Sequence, residues 1–125
     1  KAQNYEKELI TIFVVADNCD DNTAKVCRDL DYVVYERFDK TRARKGWALE
    51  YLFHNIERDF GISYFDGFII FDADNVIDRN YVREMNKTFD QGYRVVTSSL
   101  VIVTLRTLKQ TRYLPLMASI FAGQL

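Results

Sequence analysis

Between Ile10 and Ser98, short apolar runs alternate with stretches of helical periodicity, and this alternation restricts the fold more than any other feature of the chain. Ile12–Val15, Tyr32–Tyr35, Phe68–Phe71 and Tyr93–Val96 are β-rich runs of strand length. The first and third are apolar throughout, as strands covered on both faces are. Between them, Lys45–Arg58 carries Leu49, Leu52, Phe53 and Ile56 at i, i+3, i+4 and i+7, which gathers them on one helical face. Burying such a face contributes about 1.5–3 kcal/mol per large side chain, enough to dock the helix on a sheet. Val82, Met85 and Phe89 repeat the pattern across Asn80–Asp90, and Asp21 and Asn22 suit the cap of a short helix through Lys25–Arg28. The order predicts an α/β fold: a Rossmann-like, mainly parallel sheet with helices on both faces. No internal repeat is visible.

A chain of 125 residues fits one domain, and 48% hydrophobic with 28% charged residues excludes a disordered or fibrous class. Lys+Arg is 17 against 18 Asp+Glu, so the basic excess of a nucleic-acid binder is missing and no nucleic-acid partner is expected. Cys19 and Cys27 stand at no metal or redox spacing, which suits a reducing compartment. No apolar stretch reaches the roughly 20 residues of a membrane helix, and no signal peptide opens the chain. The chain starts at Lys1, with Met85 and Met117 its only methionines, so it is expected to be a piece of something longer.

Two parts differ in character. Residues 1–98 hold every Asp and Glu, whereas 99–125 carry only Arg106, Lys109 and Arg112, a basic, apolar tail. Within it Leu100–Leu105 reads as a strand and Leu116–Phe121 as a hydrophobic patch that faces a membrane or a partner, or as a stretch foreign to the domain.

Ligands of open parallel sheets bind outside the carboxyl ends of the strands. Three expected strand ends are polar there: Asp17-Asn18, Asp72-Ala73-Asp74-Asn75 and Thr97-Ser98. Asp72 and Asp74, at i and i+2 on a strand or its extension, project to one face. Two carboxylates about 4 Å apart repel by roughly 1–4 kcal/mol, a cost removed when Mg²⁺ or Mn²⁺ bridges them to a phosphate. The bland alternative is that Asp74 and Asn75 only turn the chain. Asp17, at a strand end, can accept an N–H from a nucleobase, while Asp20, Asp21 and Asn22 read as turn and cap residues. Arg37, Lys40, Arg42 and Arg44 read as a solvated charged loop; Lys45-Gly46 at a helix start can meet a diphosphate. His54, Trp47, Tyr51, Cys19 and Cys27 read as structural.

Gln3–Ala24, Val33–Phe53 and Phe65–Ser98 resemble successive blocks of family-2 glycosyltransferases, in order and with natural spacing. The resemblance implies a partial GT-A fold and inverting transfer from a nucleotide-diphospho sugar to an acceptor hydroxyl. It implies that Asp17 recognises the uracil of a UDP-sugar, that Lys45 lies near the diphosphate, and that Asp72 and Asp74 form the Asp-x-Asp motif. Asp74 is then the better metal ligand, for Mn²⁺ or Mg²⁺, with Asp72 near ribose and metal. Membrane association is expected only of full-length relatives, with the site in the cytoplasm or on the cytoplasmic face.

The departures matter as well. The family's first strand and its Pro-x-x-Asn-Glu contact are missing, which predicts an open sheet edge and poor stability. Arg44 stands where glycine is common before the Lys-Gly pair. The catalytic base, in a Glu-Asp pair, and the Gln-x-x-Arg-Trp motif are not found, so an isolated fragment is expected to transfer little sugar. The tail is expected to be a frameshifted translation: codons CTC GTA ATA GTA ACT TTG for Leu100–Leu105, read from the last base of the first codon, spell the family-like Arg-Asn-Ser-Asn-Phe. Phe71–Val76 also looks like the first motif of haloacid-dehalogenase-like phosphatases, with Asp72 as nucleophile and Asp74 as acid/base. That motif opens its fold, whereas two strands precede it here. An inactive or partner-binding fragment is the third reading.

Overall fold

In a computed structural model, residues 3–95 are described in full and residues 96–98, 101–105 and 116–123 as backbone. The alternation resolves into β1 (Ile10–Asp17), α1 (Thr23–Asp29), β2 (Val33–Arg37), α2 (Lys45–Asp59), β3 (Gly67–Asp72), α3 (Tyr81–Asp90), β4 (Val95–Ser98), β5 (Val101–Leu105) and β6 (Leu116–Gly123). These strands form one six-stranded sheet in the order β2-β1-β6-β3-β5-β4. β1, β2, β6 and β3 run parallel, and β5 is antiparallel to both β3 and β4. Five strands therefore share one direction, and the fold is the expected α/β, mainly parallel arrangement.

The period-2 alternation of the strands sends side chains to two separate cores. Phe13, Val15 and Phe68 pack with Ala48, Leu52 and Ile56 of α2 on one face. Ile69 and Phe71 pack with Val82 and Phe89 of α3 on the other. Phe13 anchors the first core, its ring edge-on to Phe60 and Phe65 at 5.2 and 5.5 Å between centroids. Gly61, at φ 77°, ends α2: its amide reaches back to the Ile56 carbonyl at 3.2 Å, a left-handed close that glycine makes without a Cβ penalty.

The stripe on α2 is displaced from the sequence expectation. The buried positions are Ala48, Leu52, Asn55 and Ile56, whereas Leu49 and Phe53 lie partly buried at the rim. The expected open edge beside β1 is not found either. β6 lies between β1 and β3, pairing with β1 from Ile10↔Leu116 to Asp17↔Gly123 and with β3 from Gly67↔Leu116 to Asp72↔Phe121. Backbone N–H and C=O groups that would otherwise be unpaired are thus satisfied on both sides. The segments read as a tail strand and a hydrophobic patch supply β5 and β6; Leu100, Arg106, Lys109 and Arg112 lie outside the described residues.

Candidate functional site

The parallel direction of β1, β2 and β3 brings their carboxyl ends to one edge of the sheet. Asp17 ends β1 and stands in register with Arg37, which ends β2. Both side chains are buried, and Arg37 Nη1 donates to Asp17 Oδ1 at 2.7 Å. Arg37 Nη2 donates to Asp39 Oδ2 at 3.3 Å and to the Arg42 carbonyl at 3.0 Å, so one guanidinium ties the strand ends to the loop that follows. Asn18 completes the corner in a left-handed conformation, φ 55°, which asparagine tolerates. Its Nδ2 donates to Asp17 Oδ1 at 3.2 Å, and its Oδ1 accepts the Asp39 amide at 2.8 Å. The Asp17 carboxylate is thus oriented by a buried cation and an amide. Arg37, which the local charge run assigns to a solvated loop, is instead buried at the site. Its place opposite Asp17 follows from strand register, which a local charge run does not show.

Lys45 is the first residue of α2, and its ammonium forms an ion pair with Asp72 Oδ1 at the end of β3. Lys45 and Asp72 are 44% and 49% exposed, so the pair is open to solvent and to exchange of partners. Asp72 is level with Phe121 of β6, and Asp17 with Gly123. At about 4.8 Å per strand spacing and about 3.3 Å per residue, Asp17 and Asp72 lie roughly 12 Å apart between Cα atoms.

Asp74 does not continue the strand. The chain turns after Asp72: the Asn75 amide donates to the Asp72 carbonyl at 3.0 Å, and the Asp72 amide donates to Asn75 Oδ1 at 3.0 Å. The period-2 argument for a shared face therefore fails at Asp74, and the turn reading holds for Asn75. Asp74 itself is exposed and makes no hydrogen bond or ion pair among the described residues. Among the described residues no three His, Cys, Asp or Glu side chains gather as a metal site. One unpartnered carboxylate and one shared with an exposed lysine do fit the smaller set that Mg²⁺ or Mn²⁺ takes when substrate phosphates supply further oxygens.

The remaining candidates divide plainly. Asp21 Oδ1 accepts the Thr23 amide at 2.9 Å, a turn role. Burial, then the carboxylates of Asp21, Asp17 and Asp20, push the Cys19 thiol up, and burial raises Cys27, so both are weak nucleophiles. Trp47 is not core packing: it is 42% exposed, and the Arg42 guanidinium sits over its ring at 4.9 Å. Tyr51 does pack against the core, with its hydroxyl donating to the Glu36 carbonyl at 3.0 Å. His54 is exposed on α2. Thr97-Ser98 ends β4, whose strand lies at the far edge of the sheet.

A family model described as glycosyltransferase like family 2 matches residues 2–121, nearly the whole chain and every strand and helix named above but the last residues of β6. No curated protein and no solved structure matches the chain. The family implies a nucleotide-sugar donor and an acceptor, and the polar carboxyl edge of the sheet is where an α/β fold holds such a ligand. The chain belongs to the glycosyltransferase-like family 2, and is a glycosyltransferase by that membership.

Proposed function

We propose that this edge binds the nucleotide half of a UDP-sugar for inverting transfer to an acceptor hydroxyl. The observation that carries the reading is the ion pair between Lys45 and Asp72, which joins the helix start to the Asp-x-Asp motif. A diphosphate has the charge to take the place of Asp72 on Lys45, and the free amides at the start of α2 lie beside that lysine. Asp17, held by Arg37 and Asn18, is the acceptor for a base N–H. Asp72, released from Lys45, and Asp74 are the carboxylates that would hold a divalent cation. Mn²⁺ or Mg²⁺ held there would supply positive charge to the leaving diphosphate.

The acceptor hydroxyl oxygen attacks the anomeric carbon as the bond to the diphosphate breaks, which inverts the configuration, and its proton passes to a general base, the role that the resemblance gives to a Glu-Asp pair. The electron pair leaves on the diphosphate, and Lys45 holds its negative charge. The phosphatase alternative has less support, because Asp72 follows the third strand in chain order and the matching family transfers sugars.

The test is a thermal-shift titration with UDP, ADP and GDP, in Mn²⁺ and in EDTA. At 100-fold excess over Kd, a ligand adds about 2.7 kcal/mol of stability. A UDP-selective shift that needs metal and disappears in Asp74→Ala is the expected result. A folded chain indifferent to every nucleotide overturns the reading.

A further inference from the structure

The other flank of α2 carries a stripe of which only Tyr51 reaches the core. Trp47, Glu50, Tyr51 and His54 recur at i, i+3, i+4 and i+7, and with Arg37 and Arg42 they line a pocket of about 340 Å³. That volume lies at the lower end of the roughly 300–1,000 Å³ typical of small-molecule sites. Asp39 completes the lining, so two guanidinium groups are balanced by two carboxylates in the wall. Three of its polar side chains are unspent. Among the described residues Glu50 and His54 make no hydrogen bond or ion pair, and the Arg42 guanidinium makes only its contact with Trp47. Arg37, by contrast, is 8% exposed and fixed on three sides, a rigid buried base for the site.

We infer that this pocket binds a neutral saccharide at a site beside the donor edge. A balanced wall does not favour phosphate, which selects a surplus of cations. Hydroxyl groups need donors and acceptors together, and Arg42 and His54 offer the first while Glu50 offers the second. A sugar ring also presents an apolar C–H face, and the half-exposed indole of Trp47 with the ring of Tyr51 supplies apolar surface beside those polar groups. The inference does not rest on the donor reading: its residues include neither Lys45, Asp72 nor Asp74, and Arg37, whose Nη1 also holds Asp17, borders both sites.

Trp47 is the sole tryptophan of the chain, so its emission reports the pocket directly. The full chain, folded by circular dichroism, is titrated in EDTA with methyl glucoside, N-acetylglucosamine and cellobiose, and separately with inorganic phosphate and UDP. A saturable change with at least one saccharide is expected, weakened about tenfold or more in Glu50→Gln and unchanged in Asp74→Ala. His54→Gln, an exposed change that leaves the core alone, gives a second variant with the same expected direction. Three results overturn the proposal: no saccharide response, a response equal in wild type and both pocket variants, or one abolished by saturating UDP. Phosphate acting in place of the saccharides overturns it too. The donor reading fails by a different signal, the lack of a UDP-dependent melting shift, so the two failures are distinguishable.

Discussion

Arg37 donates to Asp17 at 2.7 Å where both side chains are more than nine-tenths buried, so the Asp17 carboxylate and its counter-charge are one structural unit. A buried pair is weak ground for stability as a whole, but removal of one partner leaves the other charge uncompensated. Arg37→Met is therefore expected to destabilise the fold by about 3–5 kcal/mol. The double variant Arg37→Met with Asp17→Asn should lose less than the two single losses added together. Urea denaturation of the four proteins measures the coupling; strict additivity would show that the two residues act independently.

Lys45 and Asp72 behave differently because their pair is half exposed. Exposed ion pairs contribute about 0–1 kcal/mol, so Lys45→Met should leave the denaturation midpoint nearly unchanged. The same substitution should weaken UDP binding, since it removes the cation at the start of α2. Calorimetry with UDP in Mn²⁺ checks this; wild-type affinity in Lys45→Met would remove the lysine from the site.

The contrast explains what the sequence made legible. Asp17, Lys45 and Asp72 stand out because each lies at an element's end, and alternation alone locates those ends. Arg37 does not, because its burial depends on register with a strand 20 residues earlier, whereas its neighbours Phe38 and Lys40 are exposed. On α2 the large apolar residues marked the correct side, yet the buried positions include the small Ala48 and the polar Asn55, whose Nδ2 donates to the Tyr51 carbonyl at 2.7 Å. Attention to side-chain size hides small contact residues. The stripe Trp47, Glu50, Tyr51 and His54 was readable at helical spacing, but its mixed chemistry does not look like a face until the apolar face is known. Asp74 was misplaced because a strand period was carried through a turn that Asn75 closes.

A core residue gives the plainest stability test. Leu52 is fully buried between α2 and the sheet, so Leu52→Ala removes apolar contact and leaves a cavity. The expected loss is about 2–5 kcal/mol, read as a lower urea midpoint. A change below about 1 kcal/mol would mean that the α2 face is not packed as described.

Tyr35 links β2 to the end of α2 by donating its hydroxyl to Asp59 Oδ2 at 2.8 Å. Burial, then the hydrogen bond to Asp59 and its negative charge, push the Tyr35 hydroxyl up to about 12. A raised folded-state value means that the native chain keeps the proton while the unfolded chain, near 10, has already lost it. The contribution is therefore fully present below pH 10 and is lost as the pH rises towards 12. Tyr35→Phe should flatten that alkaline decline relative to wild type, read as urea midpoints between pH 9 and pH 12. An identical alkaline limb in both proteins would show that Tyr35 titrates normally.

The position of β6 makes the strongest demand on the fold. It pairs with β1 along all eight of its residues and with β3 along six, so it holds the two halves of the sheet together. A chain ended at residue 115 would expose the facing edges of β1 and β3 at once. Two unpaired edges in register are a template for association, and the polar carboxyl ends of β1 and β3 would lose their common reference. The truncated chain is therefore expected to aggregate or to lose its cooperative unfolding transition, and with it any UDP-dependent shift. Light scattering and a denaturation curve on the two lengths decide the matter. A soluble, cooperatively folding 1–115 chain would mean that β1 and β3 close directly on each other, and that the sheet order described above is not required for stability.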